Sequence, residues 1–501
     1  MQAVYIPCEV ILISCVSFGR NDLDISEPVD GASGCYMVID RKLETFFVLL
    51  EQTPSDRRRQ RTLKCSSMKR WQTENTALRC LAAAAFAISL AVGWAFELRA
   101  ESQTPAVATL SPAALRRLGD TIRNEITTGK IPGGILLIQQ HGKLVHFECF
   151  GVRDPDTGLP MTPDTIFQIY SMSKAVTSVA AMMLVDEGKL ALDDSVSKYI
   201  HSFAEAKVGV DISDEAGKYP LKLEPLKRPI TIRDLLRHTS GITYGFFGET
   251  QVQKLYGNPL LYAGDFDNAD FADRIAVLPL ADQPATRWNY SHSTDVLGRV
   301  VEVASGQTLY QFEKQRLFDP LGMSDTVYFV TNKAKWPLIA RGFPVDRSRV
   351  AGINDPTLPR RWESGGAGLA STAGDYARFL QMLLNGGELD GKRYLKRETV
   401  ALMTSDQIGP ETGIIHDPFY FPNPTSGFGL GFAVRTSPPP NTNWPLGEYR
   451  WDGAGGSFYF VDPVDDMFGI FMVMAPTQGG RIQLNLKSMI YEAMGRGLRK
   501  D

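Results

Sequence analysis

Hydrophobic residues recur at two different spacings along the chain. Leu115, Leu118, Ile122 and Ile126 fall three or four positions apart, which predicts a helix over Leu115–Thr128. The same spacing predicts further helices at Thr177–Val185, Ile232–Arg237, Val296–Val303, Tyr376–Leu384 and Ile482–Met494. Helices therefore fill the middle of the chain and also lie near its end.

Short apolar runs bounded by turn signals predict β-strands. Gly134–Gln140 and Lys143–Phe150 are joined at His141-Gly142, which predicts a hairpin. Three more strands are predicted near the C-terminus, at Gly429–Val434, Gly456–Val461 and Met467–Met474. In the first of these, the alternating glycines indicate a strand that another backbone or a ligand approaches closely. Strands at both ends and helices between them predict one sheet built from both chain ends, with a helical insertion.

Composition excludes several classes of protein. Of the 501 residues 44% are hydrophobic and 22% charged, which excludes a mainly disordered chain, a collagen-like fibre and a multi-span membrane protein. The net charge of −3 gives no electrostatic reason to expect a nucleic-acid partner. Beyond residue 80 Cys149 is the only cysteine, so that part can form no disulfide framework and has no CxxC zinc pattern. We expect no metal and no cofactor.

The first hundred residues follow a different pattern. Residues 1–67 show no sustained period and stay unassigned, and one hypothesis is that they come from an over-extended start site. From Met68 a basic start, an apolar run over residues 80–96 and a small residue at Ala100 give the layout of a secretory signal. We therefore predict a signal peptide over residues 68–100 and a secreted or periplasmic product. An uncleaved membrane anchor through residues 80–96 is the alternative. Residues 101–113 are predicted to be a linker.

Ser171 and Lys174 form a Ser-x-x-Lys tetrapeptide at the start of an apolar helix. A serine hydroxyl needs a base to become a nucleophile, and residues three apart share a helix face. Burial would lower the pKa of the lysine and free it to accept a proton. The same tetrapeptide occurs at 66–69 and at 195–198, where charged neighbours predict a surface turn. The tetrapeptide alone favours the alternative, in which Ser171 is a helix cap and Lys174 a solvated first-turn residue.

Three other segments add to this tetrapeptide. They are IRDLLRHTSG at 232–241, WNYSHSTDVLG at 288–298 and WDGAGG at 451–456. Together the four segments resemble the serine β-lactamase-like family of class C β-lactamases, DD-peptidases and related esterases. The resemblance runs from about Ala114 to Gly495 and implies a β-lactamase/transpeptidase-like fold of the α/β (α+β) class over residues 114–498. That fold is an antiparallel sheet flanked by helices, with a mostly helical domain beside it.

The resemblance implies a role for each matching residue. Ser171 would be the nucleophile, and Lys174 would exchange a proton with it. Tyr290 would be the general base that later protonates the leaving group, and it would need charged Lys174 nearby to become a phenolate. Tyr256-Gly257-Asn258 matches the family's Tyr-x-Asn form better, but it lacks the Trp288 approach and Tyr256 is expected in a loop.

Two positions depart from the pattern of the β-lactamases. His292 replaces an asparagine that helps to hold the amide side chain of β-lactams, and is either a polar site residue or a satisfied helix-face histidine. Trp451 stands where a lysine or histidine is usual, which is similar to the esterase branch and implies an apolar surface. A core aromatic at a strand end is the alternative for Trp451. Gly453 would let the acyl group lie close to the strand, and the N–H of Ala454 would join that of Ser171 as the oxyanion hole.

Two further segments are expected to shape the site without reacting. His238, in the Leu-x-His-Thr-Ser-Gly segment, is expected to be structural. Gly365–Gly368 and Ser371 match a family segment and are expected to form a tight turn beside the site.

The function implied is that of a serine hydrolase working through an acyl-enzyme, as a carboxylesterase or acyl transferase on a small neutral ester. A class C-like β-lactamase or D-amino-acid peptidase acting on an amide is the alternative within the same chemistry. A non-catalytic binding protein on the same scaffold is the alternative from another class.

Overall fold

The computed structural model describes residues 36–40, 45–49, 110–211, 221–350, 355–417 and 421–496. The chain divides into two compact units, Met1–Gln103 and Thr104–Asp501. In the first unit β1 (Tyr36–Asp40) pairs antiparallel with β2 (Thr45–Leu49), in a stretch where the sequence pattern predicts no element. The predicted signal segment, residues 68–100, lies outside the described residues.

An antiparallel sheet of eight strands organises the second unit, in the spatial order β12-β13-β14-β15-β16-β3-β4-β5. These strands are β3 (Gly133–Gln140), β4 (Lys143–Asp154), β5 (Leu159–Pro160), β12 (Ser426–Phe428), β13 (Ala433–Arg435), β14 (Tyr449–Asp452), β15 (Gly456–Asp462) and β16 (Met467–Met474). Pairing of β16 with β3, from Met467 opposite Gln140 to Val473 opposite Gly134, joins the two ends of the unit. The prediction of one sheet built from both chain ends is confirmed.

In the described part of the second unit, three small antiparallel pairs lie outside this sheet. They are β6 (Phe167–Gln168) with β9 (Ala370–Ser371), β7 (Lys207–Asp211) with β8 (Leu221–Pro225), and β10 (Glu388–Leu389) with β11 (Lys392–Arg393).

The helices cover both faces of the large sheet and fill the insertion between its halves. In chain order they are α1 (Pro112–Thr127), α2 (Ser173–Asp186), α3 (Ile232–Leu236), α4 (Gln251–Tyr256), α5 (Asn268–Ala276), α6 (Ser293–Ser305), α7 (Leu309–Glu313), α8 (Asp319–Leu321), α9 (Pro344–Arg349), α10 (Ala373–Leu384), α11 (Arg397–Met403) and α12 (Gly479–Ala493). Helices α1 and α12 pack together and against β4 and β15, whereas α10 packs on β15 and β16. Helix α2 is buried from Ser173 to Leu184 and packs against α6.

Most predicted elements are found with shifted limits. The predicted strand Met467–Met474 is confirmed residue for residue, and each predicted helix is found. The linker predicted to end at residue 113 extends too far, because Ser111 caps α1 and the helix begins at Pro112. The Ser-x-x-Lys copy at 195–198 forms the expected surface turn, in which exposed Lys198 pairs with Asp194 at 2.9 Å.

The strand predicted at Gly429–Val434 is wrong. The chain turns there between β12 and β13, and Gly431 has a left-handed φ of +102°. A Cβ at Gly429 would lie 2.0 Å from the carbonyl oxygen of Met403, and one at Gly431 would lie 2.4 Å from Ser178 Oγ. The close approach indicated by the alternating glycines is therefore present, but it occurs in a turn.

Within the part of the chain that the structure describes, no helix is both long and apolar enough to cross a membrane. The apolar run at residues 80–96 lies outside that part.

Candidate active site

Ser171 lies in a single 3₁₀ turn, Tyr170–Met172, directly before α2. Tyr170 has a φ of +44°, a conformation that L-residues adopt rarely and that is commonly found at functional sites. Met172, not Ser171, occupies the cap position of α2, and within the described chain the serine side chain caps no N–H. The interpretation of Ser171 as a simple helix cap is therefore wrong.

Lys174 lies in the first turn of α2 and is buried. Its Nζ donates to the carbonyl oxygen of Gly366 at 2.7 Å and to the hydroxyl of Tyr244 at 3.1 Å, and it lies 3.4 Å from Ser171 Oγ. Burial lowers the pKa of Lys174 to about 7, although the carboxylates of Asp295 and Asp452 oppose the shift. Lys174 is thus not a solvated first-turn residue, because its side chain is buried. Near neutral pH a large fraction of this lysine is uncharged and can accept a proton.

Tyr290 completes a contact group with Ser171 and Lys174. The phenol hydrogen-bonds with the Ser171 hydroxyl, and Lys174 Nζ lies 4.5 Å from the centre of its ring. Burial nevertheless raises the pKa of Tyr290, and the hydrogen bonds from Ser171 and Trp451 offset this only in part. This arrangement favours a protonated Tyr290, in contrast to the phenolate that the resemblance implies, and leaves Lys174 as the group that can accept a proton.

Trp451, the residue before the end of β14, makes a polar contact to this group. Its Nε1 donates to the hydroxyl of Tyr290 at 3.1 Å, and the two ring centres are 5.1 Å apart. The residue is 5% exposed. Trp451 therefore supplies a hydrogen-bond donor as well as the apolar surface that the resemblance implies.

Tyr256 was expected in a loop, but it is the last residue of α4. It is fully buried, and its hydroxyl has no hydrogen-bond partner among the described residues. The structure brings Tyr290, and not Tyr256, to Ser171 and Lys174.

The Gly453–Gly456 turn packs against the turn that holds Ser171. A Cβ at Gly453 would lie 2.4 Å from the carbonyl oxygen of Ile169, so only glycine allows this approach. Ala454 is exposed at the tip of the turn. Neither its N–H nor that of Ser171 donates to another residue that the structure describes. Both groups are thus available for the oxyanion role that the resemblance implies.

His292 is engaged at both ring nitrogens. Nδ1 lies 2.8 Å from Asp295 Oδ2, and Nε2 lies 2.8 Å from the hydroxyl of Tyr262. Asp295 also accepts from the hydroxyl of Ser364 at 2.6 Å and from the N–H of Gly366 at 3.0 Å. Of the two alternatives for His292, the structure shows the satisfied histidine, which holds the Asp295 carboxylate in place.

The backbone of Gly366 links this carboxylate to Lys174. Asp295 holds the N–H of Gly366, while the Gly366 oxygen accepts from Lys174. A Cβ at Gly366 would lie 2.8 Å from Asp295 Oδ2 and one at Gly365 would lie 2.9 Å from the oxygen of Thr294. The expected tight turn beside the site is confirmed, and its glycines are required by close packing.

His238 lies behind Tyr290 and does not contact Ser171. Its ring centre is 4.9 Å from that of Tyr290, and Nδ1 lies 3.2 Å from Ser291 Oγ. Burial lowers its pKa well below the usual value, so the ring is neutral. These contacts support the structural role expected for this histidine.

Tyr244 is a site residue that the sequence interpretation missed. Its hydroxyl contacts Lys174 Nζ, and its ring lies 5.5 Å from that of Tyr290. The available signal was its position three residues beyond the IRDLLRHTSG segment that contains His238. Metal chemistry has no obvious ligand set, since the described residues contain no group of three or more His, Cys, Asp or Glu that could hold an ion.

Comparisons with known proteins agree on one family. The model described as Beta-lactamase matches residues 118–485. An uncharacterized protein of Mycobacterium tuberculosis is 37% identical, covering 70% of this chain and 88% of its own length. The lovastatin esterase of Penicillium rubens is 29% identical, covering 71% of this chain and 92% of its own length. The solved structure of EstCE1, a hydrolase with promiscuous acyltransferase activity, shares the fold with a TM-score of 0.62 at 24% identity, covering 76% of this chain and 99% of its own. The chain belongs to the β-lactamase family and is a serine hydrolase or acyl transferase.

Proposed function

We propose that the chain is a carboxylesterase that hydrolyses neutral esters through an acyl-enzyme on Ser171. The observation that carries the proposal is the buried Nζ of Lys174, 3.4 Å from Ser171 Oγ and with a pKa of about 7. An alcohol that replaces water in the second step would make the same site an acyl transferase. The esterase and acyltransferase names among the relatives support this choice.

Acylation begins when neutral Lys174 accepts the proton of Ser171 and Oγ attacks the ester carbonyl carbon. The N–H groups of Ser171 and Ala454 stabilise the oxyanion that forms. Tyr290 donates its phenolic proton to the departing alkoxide, and Lys174 returns a proton to Tyr290. The alcohol leaves, and Ser171 carries the acyl group.

Deacylation repeats these steps with water. Water loses a proton to neutral Lys174 and attacks the acyl carbon. Tyr290 donates its proton to Ser171 Oγ as the bond to the acyl carbon breaks, Lys174 returns a proton to Tyr290, and the carboxylic acid leaves. Trp451 Nε1 keeps the Tyr290 hydroxyl beside the serine through both steps.

Two features favour esters over β-lactams or peptides. Trp451 provides no cation for the carboxylate that those substrates carry. His292 already uses both nitrogens on Asp295 and Tyr262, so it has no group left for a substrate amide. We therefore rank the β-lactamase and D-amino-acid peptidase alternatives below the esterase.

The test compares turnover of p-nitrophenyl butanoate and of a chromogenic cephalosporin. Ser171→Ala should abolish ester turnover, whereas Ser195→Ala, in the surface copy of the tetrapeptide, is the matched control and should retain it. A fluorophosphonate should add its mass to Ser171. Full ester turnover by Ser171→Ala would refute the site, and cephalosporin turnover faster than ester turnover would favour the β-lactamase.

For location, we propose export directed by residues 68–100. The support is the basic start at Met68 and the apolar run at 80–96. N-terminal sequencing of the natural product tests this: a start near residue 101 supports a cleaved signal, and a retained 80–96 segment in the membrane fraction supports the anchor. Residues 1–67 in a product from the soluble cytoplasmic fraction would overturn it.

A further inference from the structure

A cluster of aromatic rings that reaches solvent at Phe246 lies next to the proposed catalytic group; within it Tyr244 is buried. Phe246 is 70% exposed, which is high for a phenylalanine, and its ring stacks on that of Tyr244 with centres 4.8 Å apart. Phe247, half-buried, lies 4.4 Å from Phe246 and 5.9 Å from Tyr290. We call Tyr244, Phe246 and Phe247 the aromatic platform.

The platform is continuous with the reacting residues. Tyr244 contacts Lys174 Nζ through its hydroxyl, and Phe247 faces the ring of Tyr290. Aromatic rings thus extend without interruption from the nucleophile to solvent. Single exposed apolar residues are common and need no explanation, but an apolar surface that continues into a catalytic site is typical of ligand-binding surfaces.

The backbone that carries the platform is held at both ends. A Cβ at Gly245 would lie 2.1 Å from the nitrogen of Gly257, and one at Gly248 would lie 2.3 Å from Gln253 Oε1. These two glycines therefore press the 245–248 segment against α4 on either side of the two phenylalanines. A segment whose backbone is already held loses little backbone freedom when a ligand covers it, which lowers the entropic cost of binding an apolar group there.

We infer that the aromatic platform binds an apolar, preferentially flat group of the ester, so that the substrates are esters with an aromatic or bulky hydrocarbon part. The inference rests on the proposed function and names the substrate class for the same site. Two parts of an ester could supply this group, the acyl chain or the alcohol. The platform adjoins Tyr290, which protonates the leaving alcohol, and Lys174, which acts in both acylation and deacylation. The platform could therefore bind either part of the ester, and the two arms of the test distinguish them.

The kinetic test uses ethyl acetate as reference, 2-phenylethyl acetate as the alcohol arm and ethyl 3-phenylpropanoate as the acyl arm, each followed by acid release. For one of the two phenyl esters, Phe246→Ala should lower the ratio of its kcat/KM to that of ethyl acetate about five- to tenfold. Aromatic contacts of this kind contribute roughly that factor. Val464→Ala is the control, because Val464 is 60% exposed and lies beyond the end of β15 remote from the site. It should leave the ratio unchanged.

A binding test separates this inference from the proposed function. The dissociation constant of each phenyl ester is measured by calorimetry on Ser171→Ala and on Ser171→Ala/Phe246→Ala. Weaker binding to the double variant supports the platform even if the native chain turns over no ester, in which case only the proposed function fails. Equal binding to both variants, or equal kinetic ratios in both arms, would overturn the platform. The arm that responds assigns the group to the alcohol or to the acyl chain.

Discussion

Replacing Lys174 by methionine should remove turnover and also change how stability depends on pH. Burial lowers the pKa of Lys174 from 10.5 to about 7. Between these values the lysine of the unfolded chain binds a proton that the folded lysine does not. The free energy of unfolding therefore rises with pH across the window from about pH 7 to pH 10.5, and the contribution is least favourable below pH 7.

The size of the effect follows from the shift. One pKa unit corresponds to about 1.36 kcal/mol, and between pH 7 and pH 9 the native chain should gain about 2 kcal/mol from this lysine. Methionine keeps similar length but has no charge, so the variant should lack this gain. Burial also lowers the pKa of Lys487, which lies beside Glu448, to about 7. Both chains contain this lysine, so its contribution cancels in the comparison.

The assay is urea unfolding of the native chain and of Lys174→Met at pH 7 and pH 9, followed by tryptophan fluorescence. The native free energy of unfolding should rise by about 2 kcal/mol more than that of the variant. Equal rises in the two chains would refute the lowered pKa of Lys174 and, with it, the argument that this residue is the base.

The same pKa should govern activity. In the proposed mechanism neutral Lys174 accepts the serine proton, so kcat/KM of the native chain should fall on the acid side of about pH 7. At pH 5 only about 1% of the lysine is neutral, so kcat/KM should be roughly a hundredfold below its plateau. A profile that is flat from pH 5 to pH 8 would show that another group accepts the proton.

Three further substitutions test the contacts around the serine. Tyr290→Phe should lower kcat by about 10²- to 10⁴-fold, whereas Tyr256→Phe, which removes a buried hydroxyl without a described partner, should change it little; the reverse order would reassign the proton donor. Trp451→Phe removes the donor to Tyr290 and should lower kcat about tenfold, and unchanged kcat would remove Trp451 from the proton path. Asp295→Asn removes a charge that raises the pKa of Lys174, so the fall of kcat/KM on the acid side should move to lower pH. A fall that begins at higher pH than in the native chain would contradict this.

Sequence pattern predicted the elements whose signal is local. Met467–Met474 is a continuous apolar run, and the predicted strand has the same limits as β16. The turn at Gly429–Gly431 was missed because its cause is packing against Met403 and Ser178, which are distant in sequence. A pattern of alternating glycines shows that space is needed but does not show what occupies it.

The candidate site was also predictable only in part: the sequence indicated which residues meet, but not the features that depend on long-range packing. The structure brings together Ser171, Lys174, Tyr290 and Trp451, as the four motifs imply. The protonation state of Tyr290 was not predictable, since it depends on how completely folding removes water from the phenol. Nor could the sequence decide between the two alternatives for His292, because its second partner, Tyr262, lies in a separate turn.

Pairing of β3 with β16 also sets an order of events during synthesis. Ser171 and Lys174 leave the ribosome long before Trp451 and Ala454, and β3 has no partner on its β16 side until residues 467–474 have followed. Such long-range pairing forms late and slowly. The site around Ser171 is therefore incomplete in the nascent chain until Trp451 and Ala454 have followed, and the sheet that carries them closes only with β16.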